Sequence, residues 1–456
     1  MTSRLSLLIL LLPFFSFAHY VEISAQPLVF QGVSVLTMET DEVLSNQTII
    51  IENSTIRWIG PSGDAEVPAN AEVVSENFFV MPGIAEMHAH IPQPGQGEQL
   101  MKDALILYLS QGITTIRGML GHPAHLKLRD QAATGEIDSP RIYTSGPSFS
   151  GRSVESPSQA REMVNQQAEA GYDLLKFHPG LSVPEFRVIT DEANRRGIEF
   201  SGHISHDVGL ERSLDAGQGS IEHLDRYMEF LAGNPEDRVD PNIIFFGYDL
   251  AYDVQESRIA EAAQLTAEAG VWNVPTHTLL HNVFNPELTV EMMRNWPGME
   301  YVSDATLNNW SGYVQNLRDG DAYDAEKARR FLKVRDEILL ALHEAGAGIM
   351  LGADAPQIFN PPGYAAHREL NLLIEAGLTS YEALKTGTVN VAEYLNETGS
   401  SGIIVQGARA DLLLLNVNPL ESVPFQNHIE GVVSGGRYYD RDRLDEMLEG
   451  VRQRTE

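Results

Sequence analysis

Between residues 81 and 398 the chain repeats one pattern, a short apolar run followed by an amphipathic stretch, and this alternation restricts the fold more than any other feature. The runs GITTIRGM, DLLKFH, IEFSGHI, GSIEHL, GVWNVPTH and GIMLGAD are strand-like in composition. Stretches such as SQAREMVNQQAEAG and AEKARRFLKVRDEILLALHEAG set apolar residues at the spacing of a helix face. Repeated strand-then-helix units argue for an α/β architecture with a parallel sheet, and predict closure into a (β/α)8 TIM barrel. Residues 26–80 and 399–456 differ, with alternating branched and aromatic runs punctuated by Asn, Gly and Pro. They predict a small β-sandwich built from both termini around the barrel.

The first 25 residues are read separately. Arg4 precedes an apolar run from Leu5 to Phe17, followed by small residues at Ala18 and Ala25. This is the pattern of a secretory signal, expected to be cleaved near Ala18 or Ala25, and it predicts export to a periplasm or the cell exterior. The run is short of the roughly 20 apolar residues of a spanning helix and contains Pro13, so no stable membrane insertion is expected after signal removal.

Composition narrows the chemistry. Lys and Arg number 32 against 63 Asp and Glu, a net charge of −31, which argues against nucleic acid and anionic lipid as partners. The sequence has no cysteine, so thiolate metal sites, Cys nucleophiles and disulfides are excluded. Any metal must be held by His, Asp, Glu or a modified Lys. A small-molecule substrate is expected, and self-association into a homo-oligomer is left open.

The apolar run PGIAEMHAH ends in His88 and His90. On a strand, residues two apart point to one face, so both imidazoles converge. Alone, such a pair is more often surface or satisfied core than a ligand pair. Its company changes the reading: Lys176 closes DLLKF, His203 closes IEFSGH, His223 closes SIEH and Asp354 closes IMLGAD. In a parallel barrel the carboxyl ends of all strands face one mouth, where residues distant in sequence meet.

The stretches PGIAEMHAH, GITTIRGM, AGYDLLKFH, GHISHDVGLERSLDAGQGSIEHL, GVWNVPT, GIMLGADAP and GARADLLLLNVNPL together resemble the amidohydrolase superfamily, over nearly the whole length after the leader. Within it the chain looks most like imidazolonepropionase-related amidohydrolases, Xaa-Pro dipeptidases and acyl-amino-acid hydrolases. The resemblance implies that His88, His90 and Asp354 hold one metal and His203 and His223 a second, with Lys176 bridging them as a carboxylated lysine. Nitrogen and oxygen donors favour Zn2+, with Mn2+ or Co2+ open to the same set. A carbamate derived from CO2 supplies negative charge between two cations that would otherwise repel. The implied function is a metal-dependent hydrolase cleaving amide or peptide bonds of small acyl-amino-acid or dipeptide-like substrates, through a metal-bound hydroxide with Asp354 as general base and acid.

Two alternatives remain: a mononuclear deaminase or imidazolone-type cyclic amide hydrolase, and a catalytically silent ligand-binding barrel. Deaminases of the superfamily carry a Glu three residues after the strand-five histidine, where this chain has His206, and the single-metal pattern lacks the strand-four lysine. Relatives often end strand two with Arg-Asp, whereas this chain reads Arg117-Gly118, so specificity does not transfer directly. Candidate substrate contacts are Tyr227, four residues past His223, the loop histidines His122, His125, His178 and His206, and Arg152, which could pair with a substrate carboxylate. An aromatic-rich insertion after strand seven could roof the pocket, with His277 and His281 along the same wall, or its aromatics could serve ordinary helical packing.

Overall fold

The two β-rich ends of the chain meet in one sheet. A computed structural model describes residues 26–233, 246–423 and 426–455; the leader expected over residues 1–25 lies outside them. Strands β1 (Leu28–Leu36), β2 (Val43–Glu52), β3 (Thr55–Pro61), β4 (Glu72–Val74) and β5 (Phe79–Pro82) come from the N-terminal side. After the parallel region come β13 (Leu412–Leu415), β14 (Ile429–Ser434) and β15 (Arg437–Asp440). Their order is β15-β14-β13-β5-β1-β2-β3, with β4 on β1. The ladder between the ends is the antiparallel pairing of β5 with β13.

Four consecutive leucines in β13 suit a strand buried on both faces. Leu412 and Leu414 join Phe30, Val33 and Ile49 in one apolar cluster, which Ile404, Ala408 and Ala410 complete. Leu413 and Leu415 point the other way, into the main core with Leu36 and Met81. The expected union of both termini is therefore present, but as a single mixed sheet. A second stacked sheet, which a sandwich requires, is not found among the described residues, because the terminal strands extend one ladder through β5 and β13.

The middle of the chain supplies parallel strands: β6 (Ile84–Ala89), β7 (Ile113–Gly118), β8 (Arg141–Thr144), β9 (Leu174–Phe177), β10 (Glu199–Gly202), β11 (Ser220–Glu222) and β12 (Trp272–Val274). They form two ladders, β6-β7-β8 and β12-β11-β10-β9. Single parallel bridges, Ser145 to Leu174 and Phe149 to Phe177, link the β8 side to β9. Two more, Asn273 to Ile349 and Ala89 to Ala355, lead from β12 through residues 349–355 to β6. The continuous ladders thus stop short of the closed eight-stranded barrel expected from the alternation.

At the seam between β12 and β6, the backbone of the last segment departs from strand geometry. Asp354 sits at φ 60°, which no strand tolerates. Gly352 presses so close that a Cβ there would lie 2.3 Å from Val274 Cγ1 and 2.9 Å from the His88 backbone nitrogen. Hydrogen bonds from Met87 N to Leu351 O (2.8 Å) and Asp354 N to His88 O (3.0 Å) hold the segment against β6 without making it a strand.

Helices follow the strands and cover their outer face. On β9, Leu175 and Phe177 enter the helix-facing core with Phe186 and Ile189 of helix Val183–Arg196. The alternate residue Lys176 is left for the interior. Ser156 and Ser182 cap the helices after β8 and β9 through their hydroxyls, as short polar residues at an N-cap do. The C-terminal helix Arg441–Thr455 docks on helix Glu98–Ser110, where Arg454 reaches Asp103 at 2.6 Å. No helix among the described residues is long and apolar enough to cross a membrane.

Candidate metal centre and active site

Strand periodicity delivers the first two groups: His88 lies one residue before the end of β6, His90 follows two residues on, and their rings stand 5.3 Å apart. The irregular segment after Gly352 brings Asp354 between them. Its Oδ1 lies 2.7 Å from His90 Nε2 and 3.5 Å from His88 Nε2, and its Oδ2 lies 3.8 Å from His223 Nε2. One ligand atom from each of His88, His90 and Asp354 falls within 4.8 Å of the others, close enough to share a metal ion.

The remaining three residues lie around this group. His223 packs 4.7 Å from the ring of His88 and 4.6 Å from that of His203. Lys176 is fully buried, and Nζ has no hydrogen-bond partner among the described residues. Burial pushes its amine down to about 8, against the opposing pull of Glu222 and Asp354. The shift brings its deprotonation within reach of mildly alkaline pH.

The imidazoles are oriented from behind. His88 Nδ1 donates to Glu222 Oε2 at 2.6 Å, and His203 Nδ1 donates to Asp225 Oδ2 at 2.8 Å. His223 Nδ1 is bonded to Thr276 Oγ1 at 2.7 Å. With Nδ1 engaged on all three rings, the Nε2 lone pairs are the ones available to a ligand, the usual support of metal-bound histidine. Burial drives His88 and His223 well below the ordinary histidine range, with neighbouring positive groups assisting, so both are neutral donors. Burial alone would raise Asp354, but the hydrogen bond to His90 and the charge of Lys176 hold its carboxyl below the usual range, and it is ionised. Three non-glycine residues here, His223, Thr276 and Asp354, have φ between 50° and 62°. Such strain is concentrated where side-chain placement matters.

Beneath Glu222 lies Arg117, both almost wholly buried. Arg117 donates to Glu222 Oε1 at 2.9 Å, to Met87 O at 2.8 Å and to the Tyr394 hydroxyl at 2.6 Å. The residue that stands where relatives have Arg-Asp therefore faces the strand interior and steadies the carboxylate behind His88.

The cavity over these groups has a volume of roughly 410 Å³. His88, His90, His178, His203, His223 and Asp354 form its polar side; Phe246, Leu279, Leu280, Val283, Phe284, Tyr313 and Ile358 contribute to its apolar side. Of the loop histidines proposed as contacts, His178 lines it, 5.2 Å from the ring of His203. His122 does not; its Nδ1 caps helix Pro123–Ala133 by accepting from Ala124 N at 3.1 Å. His125 is buried against Pro92 O, and His206 sits in the turn after β10 outside the cavity lining. Arg152 is exposed on a turn, away from the lining.

Tyr227 is also misplaced by sequence reading. Its hydroxyl bonds Thr266 (2.8 Å) and Asn273 (3.1 Å), and the side chain is fully buried. The positive φ of His223, Leu224 and Arg226 reverses the chain before helix Tyr227–Leu231 begins, which carries Tyr227 into the core. In the insertion, Phe284 and Tyr313 reach the cavity, whereas His277 and His281 do not. His277 is buried beside Asp336 at 3.3 Å. Glu222, Asp225 and Thr276 were not anticipated, although Glu222 and Asp225 flank His223 in the sequence.

A parallel α/β scaffold with imidazole and carboxylate donors gathered at the carboxyl ends of its strands defines a class of metal-using hydrolase. Residues 79–438 match the model of the amidohydrolase family, and the chain belongs to that family. It is accordingly a hydrolase acting on carbon–nitrogen bonds. Imidazolonepropionase from Geobacillus kaustophilus (strain HTA426) is 22% identical over 450 residues, covering 92% of this chain and 95% of that protein. Among solved structures, a candidate prolidase from Bifidobacterium longum superposes with a TM-score of 0.66 at 25% identity, over 93% of this chain and 99% of that one. A Xaa-Pro dipeptidase with methionine bound in its active site gives 0.65 at 18% identity, over 91% and 100%.

Proposed function

We propose that the chain hydrolyses the amide bond of a small N-acyl amino acid or dipeptide-like substrate in the cavity over Asp354. In this reading His88, His90 and Asp354 hold one divalent cation, zinc by its donor set, and His203 and His223 hold a second. Lys176 would serve both cations as a carbamate, which its deprotonated Nζ would form by adding to carbon dioxide with release of one proton. The observation that carries the proposal is the pairing of inward Nε2 donors with a buried lysine nitrogen that has no protein partner. Bound cations would polarise the scissile carbonyl and make water acidic enough to react near neutrality.

The chain's own residues supply the rest. Asp354 takes a proton from the attacking water on a carboxylate oxygen and returns it to the leaving nitrogen. Glu222, Asp225 and Thr276 fix the ring orientations. Leu279, Leu280, Val283 and Phe284 give the substrate a dry wall. The four bridges between the parallel ladders support treating β6–β12 and residues 349–355 as one closed barrel. Export of the chain with removal of its leader belongs to the same proposal and rests on the N-terminal pattern alone.

The test is a substrate panel on zinc-loaded protein, comprising N-acyl amino acids, Xaa-Pro dipeptides, a cyclic amide and amino-heterocycles. At least one of the first two classes is expected to reach kcat/KM of about 10⁴ M⁻¹s⁻¹ or more. Turnover confined to ring opening or deamination would replace this reading with that of a mononuclear enzyme. Inertness across the whole panel would favour the silent barrel.

A further inference from the structure

A second cavity, of roughly 650 Å³, adjoins the first. The two share His90, Leu120 and Gln357 as a common wall, so they meet directly beside the metal-ligand group. Three elements outside the parallel strands build the second cavity. Helix Glu98–Ser110 contributes Leu107, the insertion contributes Tyr301 and Trp310, and the C-terminal helix contributes Val451. Apolar and aromatic side chains form the larger part of these walls, with Gln93, Gln96, Ser303, Thr306 and Thr455 set among them. The two charged groups present, Asp103 and Arg454, neutralise each other at 2.6 Å. Such a space, with its charges paired and most of its wall apolar, suits an uncharged, largely apolar occupant.

The junction is different in character. Gln357 is partly exposed, lines both cavities, and its carboxamide makes no hydrogen bond with any described residue. A free carboxamide offers one acceptor and two donor hydrogens, the complement of a substrate amide. It stands three residues from Asp354 along the chain, beyond the segment that positions the carboxylate.

We infer that the second cavity is a subsite for the extended apolar acyl arm of the substrate, with Gln357 engaging the amide at the junction. The substrate class is thereby long-chain or aryl-extended N-acyl amino acids in preference to N-acetyl ones. This rests on the amide-hydrolase reading above. It deepens that reading by assigning the acyl side of the scissile bond to one cavity and the amino-acid side to the other.

The experiment compares kcat/KM for N-acetyl, N-hexanoyl and N-dodecanoyl derivatives of one amino acid on zinc-loaded full chain. Burial of one methylene corresponds to about fourfold, from ~0.8 kcal/mol, so the dodecanoyl compound is expected to exceed the acetyl compound by at least about 100-fold. Thr306→Trp, which places bulk in the second cavity, and Leu100→Trp, a second filling variant at an exposed position, are expected to reduce that ratio at least tenfold. A flat series with good acetyl turnover would overturn the subsite and leave the amide-hydrolase reading intact. If no member is hydrolysed, the N-acyl substrate class fails, the amide-hydrolase reading rests on Xaa-Pro dipeptides alone, and calorimetric binding of N-dodecanoyl-glycine decides the subsite. Binding at least tenfold weaker in Thr306→Trp sustains it, and equal binding in wild type and variant overturns it.

Discussion

Glu222→Ala is expected to lower unfolding free energy by about 3–5 kcal/mol, the effect of removing one partner from a buried ion pair. Glu222 is wholly buried and divides its two oxygens between functions. Oε1 accepts from Arg117 at 2.9 Å and from the Ser220 hydroxyl at 2.6 Å, while Oε2 accepts from His88 Nδ1. Without it, Arg117 keeps Met87 O and the Tyr394 hydroxyl, and its remaining carboxylate is Glu199 at 3.7 Å. The same change frees His88 to rotate or change tautomer, and metal affinity is expected to fall about 10–100-fold. Glu222→Gln retains an acceptor for His88 and is expected to lose less affinity than the alanine variant. Denaturant unfolding and metal titration measure the two effects separately. Wild-type stability and affinity in Glu222→Ala would show that the pair is ornamental to the site.

Asp354→Asn is expected to reduce kcat by about 10²–10⁴, the range for loss of a positioned proton-transfer group. Asparagine preserves volume and leaves an oxygen to face His90 Nε2, which Asp354 Oδ1 approaches to 2.7 Å. It cannot carry a proton between water and a leaving nitrogen. The fold should survive, because Asp354 is held through backbone contacts, including its own N to His88 O at 3.0 Å. Activity within tenfold of wild type, measured on metal-saturated protein, would remove Asp354 from the chemistry.

How much of this was readable in advance follows from range. The strand-end positions of His88, Lys176, His203 and His223 were legible because strand period and strand-helix alternation are local properties of the sequence. So was the β character of both termini, down to the four leucines of β13. What failed depended on backbone turns that no periodicity encodes. Positive φ at His223, Leu224 and Arg226 sends Tyr227 into the core, and the left-handed Asp354 breaks the last strand. His122 follows β7 and Arg152 follows β8, yet one is consumed by a helix cap and the other faces solvent. Glu222 and Asp225 carried a signal that was passed over, since each is a carboxylate within two residues of His223. The apolar wall from Leu279 to Phe284 had no such signal, because its role arises only when helix His277–Phe284 lies across the strand ends.

Metal content per chain, determined on wild type and Lys176→Ala after zinc saturation and exhaustive dialysis, tests the central claim most directly. Two ions are expected in wild type, with at least one lost when the buried lysine is removed, because the carbamate that joins the two positions cannot form. Saturation of wild type at a single ion, or an unchanged count in Lys176→Ala, would contradict the paired centre.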